Sequence, residues 1–171
     1  MGYCAEEELP LWRGDRVLNN VEMAKSYIEE AEKRVRVAEM MLREKSYAYC
    51  IRQCQEAVGL LLKAALRLVG IEPPKWHDVG PVLLEFSSRF PEWFRERIPE
   101  VAAISRWLRR EREPSMYGDE ELGLPPSRLY TEPYAAKALE GAKMVLSCVK
   151  KLLEEYLKTA WFPLEGCCGL S

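Results

Sequence analysis

The 171-residue chain is 48% hydrophobic and 30% charged, a balance that supports one packed domain and excludes disorder as the default state. Its formal net charge of −2 excludes bulk attraction to nucleic acid, so any anion binding has to be carried by a local patch.

Residues 1–18 hold Trp12, Pro10 and Gly14 without periodicity and read as an irregular N-terminal arm. Asn19 or Asn20 is a suitable cap for a first long helix, in which Ala24, Ile28, Ala31, Val35 and Ala38 recur at threes and fours. The joint near Lys45 and Ser46 separates it from a second helix running to about Val69. That segment has an unusually wide apolar band, including Cys50, Ile51, Cys54, Val58, Leu61, Leu62 and Leu68, and is expected at the centre of a bundle. Gly70 ends it, and Pro73-Pro74 extends the chain towards Trp76-His77-Asp78. A short apolar piece around Val82–Phe86 follows, and Pro91 and Pro99 are expected to divide the chain before a helix over about Glu100–Arg112. Residues 114–133, rich in Pro and Gly, read as a long irregular loop. Thr131 caps a last helix that carries Ala135, Ala138, Ala142, Val145 and Val149 on one side, and the tail over 159–171 loses the pattern. No stretch alternates like a strand. The fold expected is all-α, an antiparallel helical bundle of four principal helices plus short connecting helices over residues 19–158.

No apolar run approaches the roughly 20 residues that span a bilayer, and the opening MGYCAEEELP is acidic rather than signal-like. A cytoplasmic protein without membrane contact is therefore expected. Asn and Gln are scarce beside Glu, Arg and Lys, which fits a thermophilic source. The six cysteines would ordinarily be reduced thiols there, although hyperthermophile proteins can carry disulfides. Cys50 and Cys54 have the spacing of a zinc pair, but no second Cys/His pair completes a site, and the reading implies no metal and no cofactor.

The stretch with the most chemistry is ISRWLRREREPSMYGD, residues 104–119. Arg106, Arg109 and Arg110 share a helix face, Arg112 follows, and Pro114 stops the helix ahead of Tyr117-Gly118-Asp119. A cationic row ending in an exposed turn suits phosphate, because the guanidinium fork matches its oxygens. Arg109, Arg110, Arg112, Tyr117 and Asp119 are the residues expected to bind a nucleotide or nucleic acid, and to line one cleft. The bland reading is a solvated face balanced by Glu111 and Glu113.

Several of these pieces resemble the HEPN domain family. YAYCIRQCQEAVGLLLKAAL resembles its second helix, GIEPPKWHDVGPVLL its connection into the third, REREPSMYGD its arginine-bearing turn, and Thr131 through Leu153 its final helix. The resemblance covers roughly residues 20–157 and implies an antiparallel bundle that commonly forms two-fold dimers. Many members are metal-independent ribonucleases or toxins, and others bind RNA or nucleotides without cleaving them. Active members carry an Arg followed, after about four to six residues, by a His. Here Arg112 falls at the Arg position and Tyr117 stands where the His would be.

A phenol, with a reference pKa of about 10, is a poor general base near neutral pH, where base catalysis is worth about 10²–10⁴-fold. His77, the only histidine, lies in the connecting segment and reads more readily as structural. The expectation is therefore a homodimeric binder of RNA or nucleotide with little catalysis. Two alternatives stand beside it: a partner module for a minimal nucleotidyltransferase of toxin–antitoxin type, and a metal-independent ribonuclease using Arg112 with Tyr117 or His77.

Overall fold

The computed structural model describes residues 12–75 and 79–160, with side chains from Asn19 to Thr159. Among them the chain forms α1 (Trp12–Arg43), α2 (Tyr47–Leu68), α3 (Val79–Glu85), α4 (Glu92–Arg110), α5 (Pro114–Tyr117), α6 (Pro126–Leu129) and α7 (Glu132–Ala160), with a 3-10 turn at Ser87–Arg89. The four long helices α1, α2, α4 and α7 are the expected all-α bundle. Side-chain bonds fix their directions. Arg67 Nη1 donates to Asn20 Oδ1 (2.9 Å) and Arg34 Nη1 to Gln53 Oε1 (3.3 Å), so α1 and α2 run antiparallel. Trp93 Nε1 donates to Glu155 Oε2 (2.7 Å) and Trp107 Nε1 to the Tyr134 hydroxyl (2.9 Å), so α4 and α7 also oppose each other.

α2 packs against every other helix, and its breadth of apolar sequence explains why. Ile51, Leu61, Leu62, Leu66 and Leu68 are fully buried, as are Cys50 and Cys54. Those two thiols are core packing, and no group of three or more potential metal ligands gathers among the described residues. Ser46 occupies the N-cap position of α2 but makes no side-chain capping bond. Past its C-terminus, Gly70 at φ 78° lets Ile71 N–H reach Leu66 O (2.9 Å) and Gly70 N–H reach Arg67 O (3.0 Å), a Schellman closure.

Three expectations about element boundaries change. α1 begins at Trp12, not after Asn19 or Asn20, so residues 12–18 are helix rather than arm; Asn20 serves as acceptor for Arg67 instead of capping. α4 runs through Pro99, which faces solvent, while Phe94, Ile98, Val101 and Ala102 bury on either side of it. Burial of that stripe outweighs the hydrogen bond a proline removes. The 114–133 segment is not irregular: α5 and α6 flank a tight excursion closed by the Asp119–Leu124 bridge. A Cβ at Gly118 (φ 80°) would collide with the Leu124 carbonyl, so this closure requires glycine. Among the described residues, no helix is long and apolar enough to cross a membrane.

Candidate functional site

The C-terminal end of α4 is held from beneath. Leu108 is fully buried, and Trp107 lies edge-on to Tyr134 with ring centroids 5.2 Å apart. Glu111, one residue past the helix, accepts from both the Tyr134 hydroxyl (2.6 Å) and the Tyr130 hydroxyl (2.9 Å). Burial, reinforced by the Glu111 carboxylate, pushes both phenols above their ordinary range. The turn after it is pinned by Ser115, which is buried and donates Oγ–H to the Arg112 carbonyl (3.0 Å). This scaffold leaves Arg106, Arg109, Arg110 and Arg112 exposed. Cations at a helix C-terminus are favoured by its partial negative charge.

The residues expected to form one cleft divide between neighbouring depressions. Tyr117, 64% exposed, and Asp119 line a cavity of about 690 Å³ with Glu111, Glu113, Glu120, Glu121, Tyr130 and Tyr134, an acidic and aromatic surround. Asp119 organises the turn there, its Oδ1 accepting from Leu122 N–H (2.9 Å). Arg109 and Arg112 line a separate groove of about 420 Å³ between α1, α2 and α4, with Arg34, Gln55, Glu56, Gly59, Lys63 and Lys75. A shallower depression holds Arg106, Arg109, Arg110, Arg112 and Glu113. His77 lies outside the described residues.

The α1 side of the groove is braced by ion pairing. Glu56 accepts from Arg34 Nη1 and from Arg52 Nε (3.0 Å), and Arg34 also bonds Gln53. Arg34, Lys63 and Lys75 escaped the sequence reading as site residues, although for Lys63 a signal existed. On a helix as apolar as α2, Arg52, Glu56, Lys63 and Arg67 are its only charged residues, and a polar position on such a helix needs a reason.

The sequence profile of the HEPN domain matches residues 24–152. The chain belongs to the HEPN domain family. Among its relatives is "Putative toxin MJ1304" of Methanocaldococcus jannaschii, 28% identical over 142 residues, covering 80% of this chain and 91% of the relative. The crystal structure of TT1696 from Thermus thermophilus is similar at a TM-score of 0.60 and 25% identity, over 75% of this chain and 96% of that one. The matched segment of this HEPN chain includes the arginine end of α4, the groove and the Tyr117 turn.

Proposed function

We propose that this HEPN protein binds RNA or a nucleotide through the arginines at the end of α4, as a homodimer and with little cleavage of its own. One observation carries the reading. Arg34, Lys63, Lys75, Arg109 and Arg112 line the groove against a single lining carboxylate, Glu56, among the described residues. That surplus is local in a chain of formal net charge −2, as a specific anion site requires. The weak catalysis follows from Tyr117, which stands in the position of the family's imidazole and withholds the usual proton acceptor.

The name of the relative from Methanocaldococcus jannaschii favours a second reading, in which this chain is the toxin-like half of a two-component system; the minimal nucleotidyltransferase as its partner is what the family resemblance implies. A metal-independent ribonuclease using Arg112 with Tyr117 or His77 is the enzymatic variant.

Labelled RNA in metal-free buffer separates these. Binding should weaken steeply with added salt. Arg112→Ala should weaken it about tenfold or more, with an unchanged melting temperature, because Arg112 is exposed. Cleavage by the wild type that Arg112→Ala abolishes would establish the ribonuclease instead. Failure to bind either RNA or nucleotide would overturn the reading.

A further inference from the structure

A further concave site lies at the other end of the bundle from the arginines. It is a cleft of about 430 Å³ where the ends of α2 and α7 meet the start of α4. Pro91, which lines it, stands about 27 Å along α4 from Arg109. The volume falls within the ~300–1,000 Å³ of small-molecule sites. Buried Leu68 and Leu152, with half-buried Val69, Pro91 and Tyr156, give the cleft a mainly apolar lining.

The polar groups left at this cleft are donors. No Asp or Glu lines it. Helix C-termini ordinarily leave carbonyl oxygens that repel an anion, but here several are taken up internally. Leu66 O accepts from Val69 N–H (3.2 Å) and Ile71 N–H (2.9 Å), and Arg67 O accepts from Gly70 N–H (3.0 Å). On α7 the Thr159 hydroxyl shares its proton between the Glu155 (3.1 Å) and Tyr156 (2.9 Å) carbonyls. The Arg89 guanidinium is exposed, and neither it nor the Tyr156 hydroxyl has a hydrogen-bond or ion-pair partner among the described residues.

We infer that this cleft binds an aliphatic monocarboxylate, its chain against Leu68, Val69 and Leu152 and its carboxylate at Arg89 and the Tyr156 hydroxyl. Charge complementarity selects the occupant. The guanidinium fork matches a carboxylate, whereas a neutral or cationic apolar group would leave Arg89 unanswered. A phosphate would bring a second charge to a site with one cation and apolar walls, where desolvation disfavours it. The lining along α7 runs from Leu152 to Thr159, seven residues and therefore about 10 Å, the length of an extended chain of about eight carbons. The inference is independent of anion binding at the α4 arginines.

The test is isothermal titration of the full chain with octanoate below its micellar concentration, beside thermal melts. Octanoate should bind and raise the melting temperature. Affinity should rise about fourfold per methylene from hexanoate to octanoate. Octanol and octylammonium should bind about tenfold more weakly or worse. Arg89→Ala should weaken octanoate binding about tenfold while the free protein melts unchanged, because Arg89 is exposed. Val69→Trp, which fills the cleft, should abolish binding, and Arg112→Ala should leave it intact. Equal affinity for octanol and octanoate, or for the wild type and Arg89→Ala, overturns the carboxylate site. Octanoate binding that appears only after Trp161→Ala and Phe162→Ala would make the segment over 161–171 the occupant. A light-scattering mass halved by Val69→Trp would make it a second copy. Either result, or no octanoate binding at all, overturns the inference.

Discussion

Glu111 stands among four arginines in sequence, and from sequence it reads as one of their counterions. In the fold its two carboxylate oxygens accept from Tyr130 and Tyr134, which ties the end of α4 to the chain entering α7. Tyr130→Phe would leave one oxygen of a half-buried carboxylate without its donor, and should cost about 1–2 kcal/mol in denaturant unfolding. The pH dependence has a definite sign. Both phenols bind their protons more tightly folded than unfolded, with burial the first cause. Their contribution is therefore fully present below the ordinary tyrosine pKa of about 10, and is lost as pH rises beyond it towards the folded values. Tyr130→Phe should accordingly show a flatter decline above that pH than the wild type. An equal decline would mean that these hydroxyls do not govern alkaline stability.

At the scale of elements, the joint between α1 and α2 holds the one non-glycine residue with positive φ among those described, Lys45 at φ 60°. The geometry follows from closure of α1, where Ser46 N–H reaches Met41 O (2.8 Å) and Lys45 N–H reaches Leu42 O (3.1 Å). Glycine usually occupies this place, because an L side chain in the left-handed region is strained. Lys45→Gly should therefore stabilise the protein by about 0.5–1 kcal/mol, the relief of strain exceeding the extra chain entropy. A fall in unfolding midpoint would show that Lys45 contributes more than its backbone. Pro99 teaches the opposite lesson about α4, since a residue that ordinarily breaks helices sits inside one. Its exposed position and the buried stripe around it explain the tolerance.

The whole molecule separates charge into neighbouring zones, with a cationic groove beside an acidic, aromatic cavity. Several large aromatic groups are absorbed by the fold. Phe94 is fully buried, and Trp93 and Trp107 are half-buried with bonded indoles; Trp161 and Phe162 lie outside the described residues. The apolar surface left for self-association includes Met116, Tyr117 and Leu122 on the excursion after α4. The homodimer we propose predicts a light-scattering mass of twice the 19.8 kDa chain, and conversion towards monomer on Leu122→Glu. A monomeric mass for the wild type at high concentration would dispose of it.

Periodicity alone determined that the chain is all-α, which segments bury, and that α2 is central, because the 3.6-residue repeat records which face leaves water. It also singled out the arginines of 104–119 as the chemically distinctive stretch, since a dense cationic row is a local property. Tertiary structure decided what shares a surface with what. Arg109 and Arg112 meet Arg34, Gly59, Lys63 and Lys75 across three helices, while Tyr117 and Asp119, close to them in sequence, turn to a different cavity. Glu111 passed from counterion to tether because its partners stand 19 and 23 residues away. Spacing along the chain reports neighbours on one helix face, whereas a groove between helices depends on how their axes pack, and burial of the whole bundle sets that.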